Sequence, residues 1–146
     1  LVSNRGVTPG FMNTYGLRII EGRDFVITDS ATSKKPNVLI TQSLEKLMGK
    51  GNAVGKTMHW DGDTSGTVLN IVGVVNDFIY GDMYGKPDPV YFYFPEYKNT
   101  SEMYVRLKPN ANTEASLKKI ETILKKDNPS YPFTYSLQMT SSIKCF

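Results

Sequence analysis

The pattern of apolar and polar positions divides the chain into short strands and a few helices. The most strongly apolar run, Thr67–Val75, is rich in β-branched residues and predicts a buried strand. The aromatic run Val90–Phe94 predicts a second strand, which Pro95 ends. Weaker patterns predict an extended segment or strand at 17–21 and strands at 38–40, 57–60, 103–107 and 133–137.

Helical spacing is clearest after residue 112. Leu117, Ile120 and Leu124 fall on one stripe of a helix that we expect Thr113 to cap and that runs to about Lys126. With strands before and after it, this helix is consistent with a βαβ unit. The earlier segments mix short helices and strands, so the sequence predicts the α+β class, with mixed sheets and short helices.

Two shorter helices are predicted in the first half of the chain. Thr8 is placed to cap the first, with Pro9 at its first position, where no amide hydrogen is needed. Thr41 is placed to cap the second, which Gly49 would end in a left-handed conformation.

The composition excludes several kinds of site but identifies none. The 146 residues carry a formal net charge of +3 and 40% hydrophobic residues, typical of a globular domain. One cysteine, Cys145, excludes an internal disulfide and a thiolate metal cluster, and one histidine, His59, excludes a multi-histidine metal site. No apolar run approaches the roughly 18 residues that cross a bilayer. The first residues match neither a natural start nor a signal peptide, so we expect a piece of a longer protein.

Two motifs resemble known ligand loops but lack essential parts. Gly55-Lys56-Thr57 resembles the end of a phosphate-binding loop, yet a helix precedes it and a strand follows it, the reverse of that motif. Asp61–Gly66 resembles the start of a calcium loop, yet Val72 stands where the bidentate glutamate belongs. A turn entering a strand and a hairpin turn are the favoured interpretations.

Two further features leave functional alternatives open. Asp77, Asp82 and Asp88 follow the strongest strand, and a small hydrolase would need one of these carboxyl groups with a raised pKa. The aromatic strand Tyr91–Phe94 suggests a sheet that binds a peptide or stacks the bases of single-stranded nucleic acid. Solvated loop carboxylates and a strand buried on both faces are the favoured interpretations.

Several short sequence blocks occur along the chain in a characteristic order. Val7-Thr8-Pro9-Gly10-Phe11 precedes Tyr15-Gly16-Leu17 and Glu21-Gly22-Arg23-Asp24-Phe25. The later blocks are Val38-Leu39-Ile40-Thr41, Gly55-Lys56, Ile71–Phe78 and Pro89-Val90-Tyr91. In this order, over residues 7–141, the chain resembles the extracytoplasmic, periplasmic core domain of MacB-like and FtsX-like ABC transporter permeases. The residues that carry the resemblance are here called the signature residues: Pro9, Gly16, Gly22, Arg23, Asp24, Phe25, Gly55, Lys56, Gly73, Val74, Asp77, Phe78 and Pro89.

The resemblance implies a function without chemistry in this chain. It implies a soluble domain of a bacterial permease, on the periplasmic side of the inner membrane, with no catalytic residue, cofactor or metal. The implied partners are the transmembrane helices, a separate ATPase subunit and a periplasmic protein or lipoprotein, but no nucleic acid. The implied role is to transmit conformational change between the membrane and ATPase parts and that partner or a substrate.

The resemblance also implies a domain organisation. Residues 1–6 would be a tail, 7–87 an inserted α+β subdomain, and 88–146 a subdomain containing the βαβ unit. The family's first strand and helix would lie outside the sequence, which would expose a sheet edge, so we expect the isolated chain to dimerise.

The chain departs from the family pattern at one place, and two of its glycines agree with the resemblance on physical grounds. Thr41-Gln42 stand where the family usually has Asn-Glu, although Thr41 would still cap the helix. We expect a turn at Gly22 that a Cβ would strain, and a bulge or close packing at Gly73.

Overall fold

A computed structural model describes residues 2–29, 35–59, 64, 66–78, 86–95, 101–138 and 142–145. Asp82 and most of the Asp61–Gly66 segment lie outside these residues. The strands are β1 (Ser3–Gly6), β2 (Ile19–Gly22), β3 (Asn37–Thr41), β4 (Thr57–His59), β5 (Val68–Val75), β6 (Val90–Tyr93), β7 (Met103–Arg106), β8 (Tyr135–Gln138) and β9 (Ser142–Cys145). The helices are α1 (Phe11–Tyr15), α2 (Gln42–Leu47) and α3 (Thr113–Asp127), with a 3-10 turn at Ile27–Asp29. The predicted α+β class is confirmed, with a mixed six-stranded sheet and three helices among the described residues.

The chain folds into two compact units. The first unit comprises Leu1–Asn13 and Leu17–Asn99, and the second comprises Thr14–Gly16 and Thr100–Phe146. β6 pairs with β1 and β3 and lies in the first of these units. β1, within residues 1–6, is parallel to β6. The domain boundaries expected from the sequence, after residues 6 and 87, stay predictions.

The first unit is built on the six-stranded sheet. Its order is β1-β6-β3-β5-β2, and β4 also pairs with β5. The central pair, β3 and β5, is parallel, whereas β6 is antiparallel to β3. β4 and β2 both run antiparallel to β5, with β4 pairing Val68–Asn70 and β2 pairing Gly73–Val75. The long strand β5 therefore pairs with both short strands, β4 and β2, at different points along its length.

The core of the first unit surrounds the two central strands. Residues 38–41 of β3 are all inaccessible to solvent, as are Ile71, Val74 and Val75 of β5. Such continuous apolar runs are typical of strands covered on both faces. The aromatic strand is also covered on both faces, because Tyr91 and Phe92 are both buried. This confirms the favoured interpretation of that strand and leaves those two rings unavailable for stacking bases.

The ends of the short helices differ in detail from prediction. α1 begins at Phe11 rather than at Pro9, because Gly10 has a φ of 89° and the Phe11 N–H donates to the Thr8 carbonyl across a turn. Gly49 follows α2 with a φ of 97°, in agreement with the predicted left-handed end.

The second unit contains α3 and a three-stranded sheet of order β7-β9-β8. Both β7 and β8 are antiparallel to β9, so β7, α3 and β8 form a βαβ arrangement with β9 inserted between its strands. The sequence did not predict β9. The cap of α3 is Asn112 rather than Thr113, and its side chain accepts the Ala115 N–H at 2.9 Å.

Candidate functional site

The signature residues that define the middle of the resemblance meet where β2 leaves β5. Gly22 and Gly73 are directly paired across these strands. Gly22 has a φ of 74°, and a Cβ there would overlap the Val72 carbonyl oxygen. A Cβ on Gly73 would lie 2.5 Å from the Arg23 carbonyl oxygen and 2.7 Å from Leu39 Cδ2. The expected turn at Gly22 and the expected close packing at Gly73 are therefore two sides of one backbone contact.

The close approach of the two glycines positions the next residue. The Arg23 N–H donates to the Val72 carbonyl at 3.0 Å, which carries the pairing one residue beyond β2. The guanidinium then donates through both terminal nitrogens to the Asp29 carboxylate, at 2.6 and 3.0 Å. Arg23 Nη1 also donates to the Asp24 carbonyl at 2.9 Å. A planar, bidentate pair of this kind fixes orientation as well as distance.

Asp29 is the centre of a larger network. Its carboxylate also accepts the Val26 N–H at 2.8 Å and the Asn37 side-chain amide at 2.5 Å. Asn37 in turn accepts a hydrogen bond from the Asn70 amide at 2.9 Å, and these two asparagines are register partners on β3 and β5. The network therefore ties the 3-10 turn and the segment after β2 to the centre of the sheet.

The electrostatics of this network favour the ionised carboxylate. Only 5% of Asp29 is exposed, whereas the Arg23 side chain is 47% exposed. Hydrogen bonding from Arg23 lowers the pKa of Asp29 to about 2, against the opposing effect of burial, with further help from the Val26 N–H and Asn37. The same hydrogen bond raises the pKa of Arg23. The pair stays charged at physiological pH and acts as a fixed structural link.

Asp77 and Phe78, which end the second signature block, serve the neighbouring helix and core. The Asp77 carboxylate accepts the Ser43 N–H at 2.8 Å, in the first turn of α2. The Phe78 ring lies 5.8 Å from that of Phe92, centroid to centroid. Asp77 is thus the side-chain cap of α2, supplied from a different part of the chain.

This arrangement corrects the expectation for Thr41. Thr41 occupies the N-cap position, but its side chain makes no capping hydrogen bond. Its hydroxyl instead accepts the Val90 N–H at 3.0 Å, and the residue is inaccessible to solvent. The Thr41 hydroxyl therefore links β3 to β6, and the N-terminus of α2 is capped by Asp77.

The remaining signature residues stabilise bends and strand contacts. The Gly55 N–H donates to the Ile71 carbonyl, and the Ile71 N–H donates to the Lys56 carbonyl, at 2.8 and 3.0 Å. Gly55-Lys56 therefore leads into β4 as a turn, as the favoured interpretation predicted. The Pro89 carbonyl accepts the Ser3 N–H at 3.0 Å, where β1 begins to pair with β6.

The other signature side chains pack in the core or lie in turns. Phe25 is buried, with its ring centroid 6.4 Å from that of Phe94, and Val74 is inaccessible. Pro9 lies in the turn before α1, and Gly16 ends that helix with a φ of 86°. The Asp24 carboxylate accepts the Phe25 N–H at 2.7 Å.

The described residues contain no group of three or more His, Cys, Asp or Glu side chains that could hold a metal ion. The one shifted carboxyl pKa resolved among them belongs to Asp29, and it is lowered, whereas a hydrolase would need a raised one. No helix in the described part of the chain is both long and apolar enough to span a bilayer.

Sequence reasoning found Arg23 but missed its partners. Asp29, Asn37 and Asn70 come from the 3-10 turn, β3 and β5, and only the folded register brings them together. The available signal was weak: an aspartate six residues after Arg23 and an asparagine at each of two strands.

Comparison with known proteins agrees with this picture. No curated protein matches the chain significantly. A crystal structure of a domain assigned to a permease protein of Porphyromonas gingivalis shares the fold, with 19% sequence identity and a TM-score of 0.56 over 94% of this chain. The chain spans 61% of the length of that solved domain.

A family profile gives the decisive match. The profile of the MacB-like periplasmic core domain matches residues 2–123, which is most of the sequence. Domains of this kind lie on the periplasmic side of membrane permeases and are typically non-catalytic. The chain therefore belongs to the MacB-like periplasmic core domain family, as a periplasmic domain of an ABC permease.

Proposed function

We propose that this domain transmits conformational change between the membrane and ATPase parts of its permease and a periplasmic protein, lipoprotein or substrate. ATP is hydrolysed in a separate subunit, and this chain performs no chemistry. The observation that carries the proposal is the use of the signature residues: Gly22, Gly73, Arg23 and Asp77 all fix backbone segments to one sheet. A stiff body of this kind transmits displacement instead of absorbing it.

Coupling also requires contacts that differ between the nucleotide states. A domain that makes the same contacts in both states shifts no equilibrium, however stiff it is. The test is therefore made in the whole permease with its ATPase, using single cysteines at exposed positions in a Cys145→Ser background. Leu47 and Ile27 report on the first unit, and Ile123 and Tyr131 report on the second.

We expect the thiol-labelling rate at one or more of these positions to change between the nucleotide-free and the ATP-bound states. The matched control is the same permease with an ATPase that cannot bind nucleotide, in which the rates stay constant. Equal rates at all four positions in both states would contradict the proposal. Binding of ATP to the isolated chain in calorimetry would also count against it.

We also infer that the isolated chain self-associates through a sheet edge. Among the described residues β7 and β8 each pair only with β9, so each has one edge without a strand partner there. The inference concerns the isolated chain and is independent of the coupling role. Sedimentation velocity over a range of concentrations tests it, with a strictly monomeric profile at high concentration as the contrary result.

A further inference from the structure

The last turn of α1 is divided between the two units. The helix begins in the first unit, which contains residues 11–13, whereas residues 14–16 belong to the second unit. The chain returns to the first unit at Leu17. Three residues of the second unit are therefore bonded covalently, at both of their ends, to residues of the first.

The two ends of this short segment are closed by a hydrogen bond within the first unit. The Leu17 N–H donates to the Met12 carbonyl at 2.8 Å, and Gly16 just before Leu17 has a φ of 86°. This is the Schellman arrangement that commonly ends helices, and an apolar contact between the same two positions often accompanies it. Met12 and Leu17 are both buried, so the base of the turn is fixed in the first unit.

The tip of the turn is held by β7, within the second unit. The rings of Tyr15 and Tyr104 meet edge to face, with centroids 5.6 Å apart and an interplanar angle of 78°. A Cβ on Gly16 would lie 3.1 Å from Nη2 of Arg106. Tyr104 and Arg106 are two residues apart on β7, so they lie on one face of that strand. One face of β7 therefore packs on the tip of the turn.

From Leu17 the chain continues directly into the six-stranded sheet. The Arg18 N–H donates to Asn76 Oδ1 at 2.6 Å, and the Asn76 N–H donates to the Arg18 carbonyl at 3.1 Å. Arg18 directly precedes β2, and Asn76 directly follows β5. A short path of covalent and hydrogen bonds thus runs from the base of the turn to the ends of two strands of the sheet.

We propose that the turn at residues 14–17 is the element through which a displacement of β7 reaches the six-stranded sheet. A displacement of the Tyr104 ring moves the tip of the turn through Tyr15. The turn moves as one piece because its closing hydrogen bond and its buried base resist deformation. This role rests on the proposed coupling function and assigns to it one specific path.

Amide hydrogen exchange in the 146-residue chain tests the path. Tyr104→Ala removes the ring that holds the tip, and we expect the amides of Leu17 and Asn76 to exchange about 2- to 10-fold faster, the range that aromatic pairs typically supply. Because coupling free energies are reciprocal, Tyr15→Ala should accelerate exchange in β7 by a similar factor. Tyr104→Phe keeps the ring and should leave both amides at the wild-type rate.

A matched control separates this path from a general loosening of the second unit. Phe133→Ala also removes a partly covered ring of that unit, but the ring of Phe133 packs 5.6 Å from that of Tyr135. We expect this variant to leave exchange at Leu17 and Asn76 unchanged. Circular dichroism checks that each variant is folded. If Tyr104→Ala unfolds the second unit, Tyr104→Leu removes the ring with a smaller loss of apolar volume, and the same acceleration is expected from it.

Two results would overturn the proposal. The first is unchanged exchange at Leu17 and Asn76 in a folded variant that lacks the Tyr104 ring. The second is an equal acceleration by Phe133→Ala, which would indicate a general loosening of the second unit. Exchange in the isolated chain tests this path alone, whereas thiol-labelling rates in the whole permease test the coupling function, so the failure of one is distinguishable from the failure of the other.

Discussion

The two units of the molecule achieve their folds with very different degrees of burial. Among the residues whose burial the structure describes, every buried hydrophobic residue lies in the first unit, from Val7 to Phe94. In the second unit no residue of α3 is buried, and Leu137 of β8 is 60% exposed. Because buried apolar area is the main source of stability, we expect the first unit to carry most of the stability that the described residues provide.

We expect the largest loss of stability from a substitution at the closest backbone contact of the first unit. Gly22→Ala combines a side chain at a φ of 74° with an overlap against Val72, and we expect it to cost about 3–6 kcal/mol. Gly49→Ala is the matched control, since its φ is 97° but nothing lies within 4 Å of the added Cβ, and we expect about 1 kcal/mol. Urea unfolding measures both, and equal costs would show that the close approach is unimportant.

A core substitution made in both units tests the comparison directly. Leu39→Ala removes a fully inaccessible side chain from β3, and we expect a loss of about 3 kcal/mol. Leu124→Ala makes the same change on the partly covered stripe of α3, where we expect about 1 kcal/mol or less. The measurement is the free energy of unfolding in urea. Similar losses at the two positions would mean that the second unit is packed as well as the first.

The Arg23–Asp29 network is the next largest expected contribution. Asp29→Asn keeps the shape of the side chain but removes the charge that Arg23 and the Val26 N–H share, and we expect a loss of about 2 kcal/mol. The control is Glu114→Gln, in an exposed ion pair of α3, with an expected loss below about 0.5 kcal/mol. A loss at Asp29 no larger than that of the control would contradict a structural role for the network.

The lowered pKa of Asp29 predicts that the stability of the fold decreases as the pH falls. The pKa of Asp29 is lowered to about 2 from 3.8, so its contribution is complete above the unfolded value and is lost as the pH falls toward the folded value. Stability of the wild type should therefore decline between about pH 4 and pH 2 more steeply than that of Asp29→Asn. Parallel pH profiles of the urea midpoint would show that the carboxylate is not the titrating group.

The same contrast explains which parts of the fold were predictable. β5 and α3 were found because their patterns are local: a β-branched run in one case and an apolar stripe at helical spacing in the other. β1 was missed because Ser3-Asn4-Arg5-Gly6 has no apolar alternation, and its partner lies far along the chain at residues 90–93. Its position depends on the sheet rather than on its own residues.

The contacts of the signature residues were also only partly predictable from the sequence. Gly22 and Gly73 could be recognised individually as special backbone positions, because glycine has distinctive conformational freedom. That they face each other depends on the register of β2 against β5, which no local pattern specifies. The capping of α2 by Asp77 is equally non-local, since Thr41 immediately before the helix is the obvious local candidate.

The smallest predicted effects compare one helix cap in each unit. Asp77→Ala removes the acceptor of the Ser43 N–H in α2, and Asn112→Ala removes the acceptor of the Ala115 N–H in α3, at about 1 kcal/mol each. Although the two substitutions should cost a similar free energy, the part of the molecule that unfolds more readily should differ. α2 contributes Leu44 to the main core, so its cap should affect global unfolding, whereas the loss in α3 should appear as local opening.

Amide hydrogen exchange distinguishes the two behaviours. For Asn112→Ala we expect faster exchange confined to α3 and its neighbouring strands, with protection of β3 and β5 unchanged. For Asp77→Ala we expect the slowest amides of β3 and β5 to exchange faster together with those of α2. If Asn112→Ala also accelerates exchange in β3 and β5, the second unit unfolds only with the first, and the two units share one cooperative transition.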